Sequence, residues 1–96
     1  MSIVTVVAKL IVQDAVVETV KTELLKMIEP TRLEEGCIEY RLHQDNDDPK
    51  VFIFFEMWEN MDCLERHMAT PHYRNYIAVV EGMIAEKTVH KMTRLA

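Results

Sequence analysis

The sequence is poor in residues that loosen or staple a chain: two glycines, three prolines and two cysteines in 96 residues. With nearly half of the chain apolar, this scarcity of Gly and Pro excludes a disordered or low-complexity protein. Cys37 and Cys63 form neither a CxxC pair nor a zinc-ligand pattern, and unpatterned cysteines fit a reduced, cytoplasmic setting. No apolar run approaches the roughly 20 residues of a membrane span. The opening MSIVTVVAKLIVQD lacks a basic n-region and a small-residue cleavage site, and it alternates like a strand, so it reads as mature protein. Positive charge is also short. The formal charge is -5 and the basic residues are scattered, which argues against a nucleic-acid partner. There is no Gly-rich phosphate fingerprint, so neither a flavin nor a nicotinamide fold is expected.

What is present is a well-marked alternation of strands and helices over residues 1–96, read as one domain. Residues 2–12 are β-branched and apolar on both faces, with Val4, Val6, Ala8 and Leu10 on one and Ile3, Val7 and Ile11 on the other, which predicts a central strand. Asp14 is placed to cap a helix whose inward stripe is Val16, Val20, Leu24, Met27 and Ile28. Pro30 ends that helix or begins a further short turn, and Gly36 stops it. In the strand Cys37–Gln44, Ile38, Tyr40 and Leu42 alternate with polar residues, the pattern of an edge strand. The turn Asp45–Pro49 leads into a hairpin partner, Val51–Trp58. Asn60 caps a short helix with Met61, Leu64, His67 and Met68 inward, and Thr70-Pro71 opens another with Tyr73, Tyr76, Ile77 and Val80 inward. A last strand is expected over about Met83–Leu95.

The order β-α-β-β-α-β is the split-βαβ, ferredoxin-like α+β pattern, with strands one and three central. Helices cover only one face of such a sheet. The other face carries Val51, Ile53, Phe55 and Met57, more apolar surface than soluble monomers expose. An isologous homodimer through the sheet faces and the C-terminal strand is therefore expected.

The chemistry concentrates between Val51 and Tyr76. Glu56 lies between Phe54 and Trp58 on the helix-facing side, where burial raises a carboxyl pKa and suits it to proton transfer. The competing reading is a structural acid bonded to backbone or to an arginine such as Arg74. His67, on an inward stripe, can take a phenolic proton near neutral pH; alternatively it is a core histidine satisfied by Glu56 or a carbonyl. His72 stands at a helix N-terminus, whose dipole favours its neutral form. Trp58, Phe54, Tyr40 and Tyr76 can stack a planar aromatic substrate, though each also suits the core. His67, His72 and Glu56 supply three candidate ligands, but no spacing here is a known metal pattern, so no metal is expected.

Glu35-Gly36-Cys37-x-x-Tyr40, Glu56-x-Trp58, the helix ending in His67 and Thr70-x-His72-Tyr73 together resemble the antibiotic biosynthesis monooxygenase family. That resemblance spans the chain and implies a dimeric α/β barrel. It also implies cofactor-independent oxidation of a hydroquinone, phenol or polycyclic aromatic by O2, with His67, Glu56 and His72 catalytic. Relatives the resemblance brings with it include an isomerase of a phosphorylated sugar and many members of no known activity. The alternative readings are therefore an acid–base isomerase of a small carbonyl compound, phosphorylated or not, and a non-catalytic ligand-binding dimer. Its haem-degrading branch carries an asparagine on strand one and a tryptophan followed by a histidine in the later helices. Here strand one has no asparagine, His67 falls where that tryptophan would be and Ile77 near the histidine, which argues against haem as substrate.

Overall fold

The computed structural model describes residues 2–96. Strand β1 (Val4–Val12) leads through a 3-10 turn, Asp14–Val16, into helices α1 (Val17–Leu25) and α2 (Ile28–Arg32). Strands β2 (Cys37–Gln44) and β3 (Val51–Trp58) follow, then helices α3 (Met61–Met68) and α4 (Pro71–Val80), and finally strand β4 (Ile84–Met92). The sheet order is β2-β3-β1-β4, and each neighbouring pair is antiparallel. This is the expected ferredoxin-like α+β fold. The two strands that are apolar on both faces are the central ones, because only there do both faces find cover or company.

Registers fix which side chains meet. Val6 pairs with Glu56 and Ala8 with Phe54 across β1 and β3, while Leu10 pairs with Lys87 and Val6 with Lys91 across β1 and β4. The helix-facing side therefore gathers Val4, Val6, Ala8, Leu10 and Val12 with Phe52, Phe54, Glu56 and Trp58, all buried. Val20, Leu24 and Met27 close over them from above.

Several expectations shift by a residue or two. Asp14 is not the cap of α1; it begins the 3-10 turn, and no side chain caps either segment. The chain is held tightly there, because the Gln13 backbone N–H donates to the Met83 carbonyl and its side chain to the Gly82 carbonyl. Pro30 sits inside α2, in its first turn, where a missing N–H costs little. Ile38 does not point inward: a bulge between Cys37 and Glu39 puts Cys37 opposite Trp58 and leaves Ile38 45% exposed. A bulge adds one residue to a strand, so the alternation read from sequence slips at that point. Cys63, rather than Met61, joins Leu64 and His67 on the inward face of α3, and Ile77 of α4 faces outward. Strand β4 ends at Met92, where its pairing with Thr5 of β1 ends, short of the expected Leu95.

The loop from α2 to β2 is pinned by sterics. Gly36 has φ +85°, and a Cβ there would lie 2.2 Å from the Cys63 sulfur. Only glycine permits both the left-handed backbone and the close approach to α3. That approach carries the preceding residues to the ends of α3 and α4.

Candidate active site

Capping chemistry places the two histidines. Asn60 Oδ1 accepts from the Cys63 N–H at 2.9 Å and starts α3. Its last turn delivers His67, whose carbonyl accepts from the Thr70 hydroxyl at 2.7 Å. The same hydroxyl accepts from the Tyr73 N–H at 3.3 Å, so one side chain closes α3 and opens α4. Pro71 occupies the first turn of α4, which sets His72 directly after it. The corner fixes the imidazoles 6.1 Å apart, centroid to centroid.

Both rings turn to a residue the sequence reading passed over. His67 Nδ1 and His72 Nε2 each lie 2.7 Å from the same oxygen, Oε2 of Glu34. Glu34 lies in the loop between α2 and β2, 33 and 38 residues before them in sequence. Its side chain is 12% exposed against 3% for His67 and 24% for His72. Neighbouring Glu35 is exposed, so the adjacent acids have opposite fates.

An ionised carboxylate only accepts, so His67 carries its proton on Nδ1 and leaves Nε2 with a lone pair. Burial pushes the His67 pKa below its ordinary value, against the opposing pull of Glu34, and His72 lowers it further. The ring is therefore neutral near pH 7. It is clamped by Trp58 at 4.7 Å, Tyr73 at 5.1 Å and Tyr40 at 5.7 Å between centroids. Among the described residues, Nε2 has no hydrogen-bond partner and is not sealed from solvent.

His67 also lines a cleft between the helix-facing side of the sheet and helices α3 and α4. Tyr40, Phe54 and Glu56 form its floor with Val6 and Ala8; Leu64, Met68, Tyr73 and Tyr76 form the helical wall; Lys87, Val89 and Lys91 of β4 form the rim. Its volume is about 50 Å³. Glu56 Oε1 accepts from the indole Nε1 of Trp58 at 2.9 Å. Arg74, offered as a structural partner, is exposed. Burial pushes the Glu56 carboxyl up to about 7, with the indole bond and Lys87 pulling the other way. Burial likewise lowers the Lys87 pKa, against the pull of Glu56, and its ammonium lies 5.9 Å from the Tyr76 ring centroid. The phenols of Tyr40, Tyr73 and Tyr76 are all pushed upward by burial and by nearby negative charge, so they remain protonated donors.

The cleft thus brings together His67, Glu56, Phe54, Tyr40 and Tyr76 of the expected set. It does not include the other two. Trp58 is 0% exposed and stands behind His67 and Glu56, holding both rather than meeting a ligand. His72 lies on the far side of Glu34, toward solvent. Tyr73, Lys87 and Lys91 were not expected on the cleft. The alternation of β4 would have placed both lysines on the helix side, once Leu10↔Lys87 pairing was known.

Comparison with known proteins decides the family. The antibiotic biosynthesis monooxygenase profile matches residues 3–79. The chain belongs to that family. It is 33% identical over 69 residues to an uncharacterized protein of Synechocystis, sll1783, covering 72% of this chain and 47% of that one. It is 28% identical over 80 residues to YgiN of Escherichia coli, named a probable quinol monooxygenase, covering 75% and 77%. The chain spans about half the length of the first curated relatives it matches. Among solved structures, PA3566 of Pseudomonas aeruginosa superposes with a TM-score of 0.95 at 30% identity, over 100% of this chain and 97% of that one. Rv0793 of Mycobacterium tuberculosis gives 0.93 at 30% identity, over 99% and 97%. No helix among the described residues is long and apolar enough to cross a membrane.

Proposed function

We propose that this protein is a cofactor-independent monooxygenase that oxidises a hydroquinone or related phenol with O2. One observation carries the reading: His67, bonded through Nδ1 to Glu34 at 2.7 Å, lines a largely apolar, aromatic cleft, and with its proton on Nδ1 the other ring nitrogen serves as the base. Such a reaction needs no redox group from the protein, because the substrate supplies all four electrons that O2 takes up. A hydroquinone plus O2 gives a hydroxyquinone plus water, with one oxygen atom in each product. The protein has to make the electron-rich phenolate and hold it away from water. His67 takes the phenolic proton, and Glu34 stabilises the imidazolium that forms. Lys87, with the Tyr76 hydroxyl, offers charge and a donor to the phenolate. Glu56, near half-protonated at neutral pH, returns a proton to reduced oxygen. Phe54 and Tyr40 supply ring faces. The cleft must widen toward β4 to admit a ring, since a cavity that holds benzene measures about 150 Å³.

The proposal includes a cytoplasmic homodimer packed through the open sheet face. That face carries Val7, Ile11, Ile53, Phe55 and Met57, all only half-buried in the single chain. A second copy is the simplest cover for it.

The narrow cleft and its two rim lysines also favour a second reading, acid–base isomerisation of a small anionic carbonyl compound. The test separates them. Metal-stripped protein is given a panel of small hydroquinones in an oxygen electrode, beside His67→Ala and an autoxidation control. Uptake well above the control and lost in the variant is expected. No uptake with any quinol would sink the monooxygenase reading and leave the isomerase to be tested.

A further inference from the structure

We propose that Glu34, His67 and His72 form a binding site for a divalent transition-metal ion, and that filling it switches off the cleft-facing base. The second half rests on the proposed function; the first half does not. Among the described residues this is the one group of three such side chains whose ligand atoms converge, all within 4.8 Å of one another.

The ligand types fit the class. Two imidazole nitrogens and one carboxylate oxygen suit zinc, iron, cobalt or nickel and not the oxygen-only shells of magnesium and calcium. The spacing is close as well. Ligands about 2.0–2.1 Å from an ion stand roughly 2.9 Å apart at right angles and roughly 3.4 Å apart in a tetrahedron. Each nitrogen is now 2.7 Å from Oε2 and all three atoms lie within 4.8 Å of one another. An ion replacing the shared protons therefore needs tenths of an ångström along the two contacts to oxygen and a closing of the two imidazoles by roughly an ångström.

Each ligand is also held by something other than the cluster. Trp58 and Tyr73 clamp the His67 ring. The Glu34 N–H donates to the Thr31 carbonyl at 3.0 Å, and its carbonyl accepts from Cys37 at 3.2 Å. His72 is fixed by the Thr70-Pro71 start of α4. The inner side of the site is closed by His67, whereas His72 and Glu34 keep some exposure. An ion can therefore enter from solvent and retain water in its remaining positions.

Binding changes the cleft without moving anything into it. In the hydrogen-bonded state His67 carries its proton on Nδ1. When an ion takes the Nδ1 lone pair, the neutral ring keeps one proton and carries it on Nε2. No net proton is lost. The nitrogen at the cleft turns from acceptor to donor.

The experiment is titration of metal-stripped protein with Zn²⁺ by calorimetry and with Co²⁺ by visible absorption. One ion per chain is expected, weakened at least tenfold in both Glu34→Gln and His72→Asn, with folding checked by circular dichroism. The control is His43→Asn with His90→Asn, which removes the exposed histidines of the open sheet face; binding should survive it. Retained affinity in His72→Asn, loss in the control, or no binding at micromolar metal would each overturn the site. His72→Asn lies at the most exposed ligand, so it carries the test if Glu34→Gln does not fold. For the switch, ¹⁵N NMR should show His67 Nε2 gaining its proton on Zn²⁺ addition, and an unchanged Nε2 signal in the zinc-bound protein would refute it. Neither readout needs turnover, so the absence of quinol oxidation would leave the metal result standing.

Discussion

Strand β3 has two faces with the same apolar character and opposite situations. Phe52, Phe54, Glu56 and Trp58 lie under the helices and are buried; Val51, Ile53, Phe55 and Met57, interleaved with them, are only half-covered. The covered face tolerates a carboxyl group because an indole N–H meets it and burial keeps it partly protonated. The open face has no such device and no polar group on β3 at all. Alternation thus divides one strand into a side that can do chemistry and a side suited to contact with another surface. The largest expected effect lies on the covered face. Trp58→Ala should cost about 3–5 kcal/mol in denaturant unfolding, because it removes a fully buried indole that also holds Glu56 and His67. The same truncation at Phe55 should cost much less in the isolated chain.

His67→Gln is the next largest. Loss of a general base lowers turnover by about 10²–10⁴-fold, read as kcat on protein shown to be folded. Glutamine keeps a donor for Glu34, so stability should fall far less than activity. Equal losses would reduce His67 to a core residue.

Glu56→Gln sharpens the comparison through pH. The folded-state pKa is about 7 against an ordinary 4.5. Between those values the folded chain holds a proton that the unfolded chain has released, so stability falls as pH rises through that window and then levels off. The full effect is at most about 3 kcal/mol. Glutamine keeps an acceptor for the indole and should flatten this limb, making the variant the more stable protein above pH 7. His67 works in the other direction: its lowered pKa means stability is lost as pH falls below 6.5, and that acid limb should persist in Glu56→Gln. Urea titrations of both proteins from pH 5 to 8 check both limbs. A slope in the variant identical to that of the parent would remove Glu56 as its source.

Much of this was legible beforehand because it depends on local rules. Strand alternation placed Glu56 with Phe54 and Trp58, and the Asn60 and Thr70 caps placed both histidines. Glu34 was not legible. It belongs to no periodic element, and only the tertiary fold carries it to residues 33 and 38 positions later; a pair of acids before a glycine gives no sign of which one turns inward. The bulge at Ile38 was hidden for a related reason, since an extra residue is decided by pairing with β3 and not by the sequence of β2. Trp58 shows the converse. Its burial was predictable, yet an aromatic in a core and an aromatic in a pocket wall have the same alternation. Which one it is depends on whether the cleft reaches it.

The smallest expected effect on the single chain is on the open face, and it separates assembly from folding. Phe55→Glu introduces a charge opposite Val7 and Arg41 in the neighbouring strands, at a position already in partial contact with solvent. Within one chain the carboxylate can reach water and lies near a guanidinium, so monomer stability should change by about 1 kcal/mol or less. Across a face-to-face dimer the same charge would be buried twice by symmetry, which costs several kcal/mol per uncompensated ion. Sedimentation equilibrium should therefore show a dimer for the parent chain and a folded monomer for the variant. A variant that stays dimeric would place the interface elsewhere, and a parent that is monomeric at tens of micromolar would leave the apolar face without its proposed cover.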